Sequence, residues 1–196
     1  MTIWLFAEER SGSTWLITHI AGMLNLPFAY IEQDGTVPDG VHQTHSFDRL
    51  KDAHGVLLRS TRKDVFEHFL SWIIMDRAKT AHPEWYSHPF MQRGSARDRD
   101  LDRLTEVCAD KFDVVRGDIQ RFLVLKKARN IAWDTKNAVK QTIFYEDLIE
   151  GVSIPELGID RIAFSDGGLY DKLPYDKWAV ITNTDQALQW LKEEML

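Results

Sequence analysis

The sequence predicts an α/β protein, a three-layer sandwich on a mainly parallel sheet with helices on both faces. Three observations point there. Short apolar runs of strand length alternate with longer stretches whose apolar residues recur at helical period. The chain opens on one such unit: the run Ile3-Trp4-Leu5-Phe6, a small polar turn, and Trp15 to Leu26 with helical spacing. Its 196 residues, 44% hydrophobic and 28% charged, suit one domain with a sizeable core.

Taken in order, Ile3–Phe6 is too short for a helix and right for a buried strand. Trp15, Leu16, Ile20, Met23 and Leu24 form the apolar stripe of the helix after it. A short strand is predicted over Phe28–Ile31, with turns at Asp34-Gly35 and Pro38-Asp39-Gly40. Val41 to Ser46 suits a third strand, and His54 to Arg59 a more apolar one. From Arg62 to about Ala78 the pattern is helical, with Val65, Phe66, Phe69, Leu70, Ile73 and Ile74 on one face. Ala81 to Asp100 has no periodicity, and its Trp85, Tyr86, Phe90 and arginines suggest a functional loop. Leu101 to about Asn137 predicts two helices, with Phe112, Val115, Ile119, Phe122 and Leu123 inward. Gln141–Tyr145 reads as a strand, Glu146–Ile149 as a helical turn and Gly167-Gly168 as a loop. Thr182–Leu196 reads as a last helix, capped by Asn183 or Thr184.

Composition removes several functions. The single cysteine, Cys108, leaves no internal disulfide and no cysteine-based zinc cluster. A net charge of −6 argues against a general nucleic-acid binder, yet permits a small anion site with a few local cations. No run approaches the ~18 apolar residues of a membrane span, and no basic region precedes the first apolar stretch. The expectation is a cytoplasmic protein without a membrane partner.

The chemistry centres on Ala7-Glu8-Glu9-Arg10-Ser11-Gly12-Ser13-Thr14-Trp15. A strand, a small polar turn and a helix aim backbone N–H groups and a helix dipole at an anion. Gly12 permits close approach, Ser13 and Thr14 add hydroxyls, and Arg10 adds a fixed charge. The first Gly and the Lys of G-x-x-x-x-G-K-[ST] are missing. Such turns are also ordinary helix caps.

Arg10-Ser11-Gly12-Ser13-Thr14-Trp15 resembles the P-loop-like 5′-phosphosulfate-binding loop of the sulfotransferases that use 3′-phosphoadenosine 5′-phosphosulfate (PAPS). Four more segments are similar to that family's, in its order. Gln43-Thr44-His45 is similar to K-T-H, whose His is the general base; Gln43 stands where the family has Lys. Leu57 to Asp64, continuing to Phe69-Leu70-Ser71-Trp72, is similar to the 3′-phosphate segment, a strand ending in Arg and a helix carrying Ser. The strand end favours Arg59, the spacing to Ser71 favours Arg62, and both stay open. Phe144-Tyr145-Glu146-Asp147-Leu148 is similar to Y-E-D-L, whose Glu-Asp pair holds loops in place. Tyr175-Asp176-Lys177-Trp178 is similar to the C-terminal G-x-W loop but lacks its Arg-Lys-Gly triplet.

The resemblance covers nearly the whole chain and implies transfer of a sulfuryl group from PAPS to an acceptor hydroxyl or amine, without a metal. The acceptor would be a small molecule or a glycan, and adenosine 3′,5′-bisphosphate (PAP) the product. It implies that Arg10, Ser11 and the backbone of Gly12, Ser13 and Thr14 hold the 5′-phosphate. His45 would take the acceptor's proton, a task suited to a group of unperturbed pKa near 6.5. Trp15 and Tyr145 would frame the adenine, and Arg59 or Arg62 with Ser71 would bind the 3′-phosphate. Lys172 and Lys177 stand where the basic triplet would fall; Arg93, Arg97, Arg99 and Arg103 are the rival suppliers of that charge. Two other functions fit parts of the pattern: a kinase-like phosphotransferase, and a catalytically inactive nucleotide-binding member. No motif names the acceptor or the oligomeric state.

Overall fold

The computed structural model describes residues 1–8, 12–30, 39–81, 111–136, 138, 140–164 and 177–196. In chain order the elements begin β1 (Ile3–Ala7), α1 (Ser13–Leu24), β2 (Phe28–Tyr30), β3 (Val41–Thr44), α2 (Phe47–Asp52) and β4 (Val56–Thr61). They continue α3 (Val65–Ala81), α4 (Arg116–Thr135), β5 (Lys140–Phe144), α5 (Asp147–Glu150), β6 (Val152–Ile154), β7 (Ile159–Ile162) and α6 (Thr184–Glu194). The chain forms two compact units, Met1–Asp64 with Lys126–Asp171, and Val65–Leu125 with Lys172–Leu196.

The first unit is α/β. Its five strands lie in the order β2-β3-β1-β4-β5, every neighbouring pair parallel. Parallel pairing is stable here because both faces are covered. Side chains alternate along β1, so Ile3 and Leu5 pack with Val41, Leu58 and Ile143 under Trp15, Leu16, Ile17 and Ile20 of α1. On the opposite face Trp4, Phe6 and Leu57 pack with Ala53 and with Ala132 and Trp133 of α4. All five β1 residues are buried, which explains a continuous apolar run where a half-exposed strand would alternate. Asn25 ends α1 in a left-handed conformation, φ 52°, and the N–H groups of Asn25 and Leu26 close on the carbonyls of Gly22 and Ala21.

An antiparallel β6–β7 hairpin adds Ile154, Leu157, Ile159 and Ile162 to the α1 side of the core. The sequence reading did not contain it. These strands are three and four residues long and β7 reads buried-exposed-exposed-buried, so no alternation marks them.

In the second unit, Phe69, Leu70, Trp72, Ile73 and Ile74 of α3 pack with Ile119 and Phe122 of α4 and with Ala187 and Leu191 of α6. Arg77 pairs with Asp118 at 2.9 Å and Arg121 with Asp76 at 2.6 Å. Of the two helices expected over Leu101 to about Asn137, the described residues carry one, Arg116–Thr135, and residues 101–110 lie outside the described residues. One expectation is corrected. Val115, expected inward, is 54% exposed, because it precedes α4 and does not share its period. Asn183, one of the two residues expected to cap α6, occupies its N-cap; it makes no side-chain cap bond, and its amide grips the backbone N–H and C=O of Val114. The aromatic loop expected over residues 81–100 lies almost entirely outside the described residues. No described helix is long and apolar enough to cross a membrane.

Candidate functional site

Four of the five strands end together: Thr44 lies opposite Phe6, Ser60 opposite Ala7, and Phe144 opposite Thr61. The first residues beyond them, His45, Glu8, Arg62 and Tyr145, therefore stand along one edge in the strand order β3-β1-β4-β5. The chain leaves β1 toward β2 and leaves β4 toward β5, in opposite directions. Connections that diverge this way open a crevice at the carboxyl ends, where open parallel sheets bind ligands.

Gly12 starts α1 with φ 74°, a left-handed conformation. A Cβ there would lie 2.9 Å from Cδ2 of Tyr145, so glycine is required both for the turn and for the packing. The N–H of Leu16 donates to the Gly12 carbonyl at 3.0 Å, the first bond of the helix. The amides of Ser13, Thr14 and Trp15 precede that bond and face out of the helix end. Arg10 and Ser11 lie outside the described residues.

His45 is held from two sides. Its Nδ1 is 2.7 Å from the carbonyl oxygen of Ala7, and only a ring N–H can make that bond. The neutral ring then carries its lone pair on Nε2. Gln43 Nε2 donates to that nitrogen at 3.3 Å and to Ser13 Oγ at 3.2 Å. One buried amide thus joins the candidate base to the first residue of α1. The other amide atom, Gln43 Oε1, is buried without a hydrogen bond among the described residues.

Glu8 is fully buried, and its two oxygens serve two cations. Oε1 accepts from Arg59 Nε at 3.0 Å and also from Arg59 Nη2; Oε2 accepts from Lys126 Nζ at 3.1 Å. Arg59 Nη2 also reaches Asn130 Oδ1, and Lys126 reaches Thr61 Oγ1 at 3.3 Å. The Arg59 fork is engaged by its neighbours, and 6% of the residue is exposed. Arg62, half-buried, stands over the Tyr145 ring at 4.1 Å. Tyr145 also meets Phe164 at a centroid distance of 4.9 Å. Glu146 accepts from the backbone N–H of Lys63 at 2.9 Å, and Asp147 pairs with the Lys63 ammonium, which fixes the turn after β4.

The structure brings Gly12, Ser13, Thr14, His45, Arg59, Arg62 and Tyr145 into one unit, around one edge of its sheet. Trp15 lies in that unit too, but its side chain is 1% exposed, stacked on His19 at 4.0 Å and packed on Phe164. Ser71 is buried in α3 of the second unit. Lys172 lies outside the described residues, as does the Lys177 side chain. Glu8, Lys126 and Asn130 were missed by the sequence reading. A signal existed for Lys126, which continues the inward series Ile119 and Phe122 at helical spacing.

Comparison with protein-family models, curated proteins and solved structures finds no match. The site must be argued from its own chemistry.

Proposed function

We propose that this chain is a PAPS-dependent sulfotransferase with His45 as general base. The observation that carries the reading is the His45–Gln43–Ser13 link: a histidine whose Nδ1–H is tied to Ala7 presents a basic Nε2 beside a glycine-started helix. A base must be of the right tautomer and within reach of the proton it removes. A helix N-terminus is suited to an anionic leaving group.

In the proposed reaction an acceptor hydroxyl displaces the long Gln43 contact and gives its proton to Nε2. Its oxygen bonds to sulfur as the bridge between sulfur and the 5′-phosphate breaks, and that electron pair stays on the phosphate. The amides of Ser13 and Thr14, with Arg10, would stabilise the growing charge. For the 3′-phosphate the reading takes Arg62 in preference to Arg59, whose donors already serve Glu8 and Asn130. The test is release of PAP from PAPS over a panel of acceptors. His45→Ala should slow it by ~10²–10⁴ with donor affinity nearly unchanged. An unchanged rate would remove His45 from the mechanism.

A further inference from the structure

Arg129 sits on α4, three residues after Lys126 and four before Trp133, so the three share one helix face. Both neighbours reach the sheet. Lys126 bonds Glu8 and Thr61, and the Trp133 ring stacks on Phe6 with centroids 6.4 Å apart. Arg129 lies between them, and only 8% of it is exposed. Arg59, Arg77, Arg116 and Arg121 each hold a carboxylate. Among the described residues the Arg129 guanidinium makes no hydrogen bond, ion pair or ring contact, and its Nε is buried without a partner.

Arginine cannot shed its proton to escape burial, and the buried Nε loses its hydration with nothing in return. The fork of donors it presents matches a carboxylate, phosphate or sulfate. Its place selects among ligands. Trp133 marks the Arg129 side as the Phe6 face of the sheet, opposite the face covered by α1, whose N-terminus is the candidate donor site.

We propose that Arg129 binds an oxyanion carried by the acceptor, which makes the acceptor an anionic molecule. The word acceptor rests on the sulfotransferase reading; the oxyanion site does not. The test is thermal unfolding of the full chain in sodium sulfate and in sodium chloride of equal ionic strength, for wild type, Arg129→Met and Arg129→Lys. PAP binding is measured on each by calorimetry. Sulfate at ten times its Kd should raise the wild-type Tm by about 3–5 °C. Arg129→Met should lose most of that rise, be at least as stable as wild type in chloride, and bind PAP as wild type does. Arg129→Lys should keep part of the rise. A large loss of stability of Arg129→Met in chloride would mean that a protein group answers the charge, and would overturn the proposal. So would a sulfate response that Arg129→Met leaves intact. Loss of PAP affinity together with the sulfate response would move Arg129 to the donor and overturn the acceptor assignment. A wild type that ignores PAP but needs Arg129 for its sulfate response would uphold the oxyanion site and sink the sulfotransferase reading instead.

Discussion

Glu8→Gln removes one charge from the interior and almost no volume. In the native site Glu8 is fully buried, with the Arg59 side chain 7% exposed and Lys126 15% exposed. The variant leaves both cations without their carboxylate. Breaking a buried pair in this way costs about 3–5 kcal/mol, because the remaining charge stays desolvated. For a chain of this size that corresponds to a fall in Tm of about 6–20 °C. Urea unfolding followed by fluorescence reads it, since Trp4 and Trp133 lie in the core on that face of the sheet. The triple variant Glu8→Leu, Arg59→Met, Lys126→Met should recover most of the loss, because it removes the desolvated charges as well as their pairing. A Glu8→Gln variant within about 0.5 kcal/mol of wild type would refute the reasoning, since that is the range of an exposed substitution.

Gly12→Ala should cost about 1–2 kcal/mol in stability for the left-handed backbone alone, measured by urea unfolding, and more if Tyr145 cannot move. A neutral outcome would mean that the turn adopts another conformation. The Arg116–Glu194 pair gives a pH signature. The Arg116 hydrogen bond, then that of Gln120, holds the Glu194 carboxyl below its usual range. Its contribution is therefore present above the unfolded carboxyl pKa and is lost as pH falls through the lower folded value. Both side chains are solvated, so Glu194→Gln should change unfolding at pH 7 only slightly; a large change would contradict that.

Most of the first unit was legible because its inner strands are buried on both faces and its helices keep their period. Ile3–Phe6 and Val56–Leu58 could only be apolar runs once helices covered the sheet on either side. The β6–β7 hairpin was not legible, since its pairing is set by contacts with α1 and not by its own pattern. In the site, Gly12, Gln43 and His45 were legible because each was read from a short local motif. The Glu8–Lys126 bond spans 118 positions; helical spacing marks Lys126 as inward, but nothing local distinguishes Glu8 from a solvated charge or pairs the two. The same holds for Arg129, whose type reads as surface and whose burial comes only from the packing of α4. The burial of Trp15 was legible from its place in the apolar stripe of α1.

The measurement closest to the central claim is calorimetric titration of the full chain with PAP, AMP and ATP with Mg²⁺. The account assigns dedicated groups to both a 5′- and a 3′-phosphate, so PAP should bind more tightly than AMP or ATP. Its affinity should fall as salt is raised, because exposed cations are screened at physiological ionic strength. ATP with Mg²⁺ as the tightest ligand would contradict the account and favour a phosphotransferase.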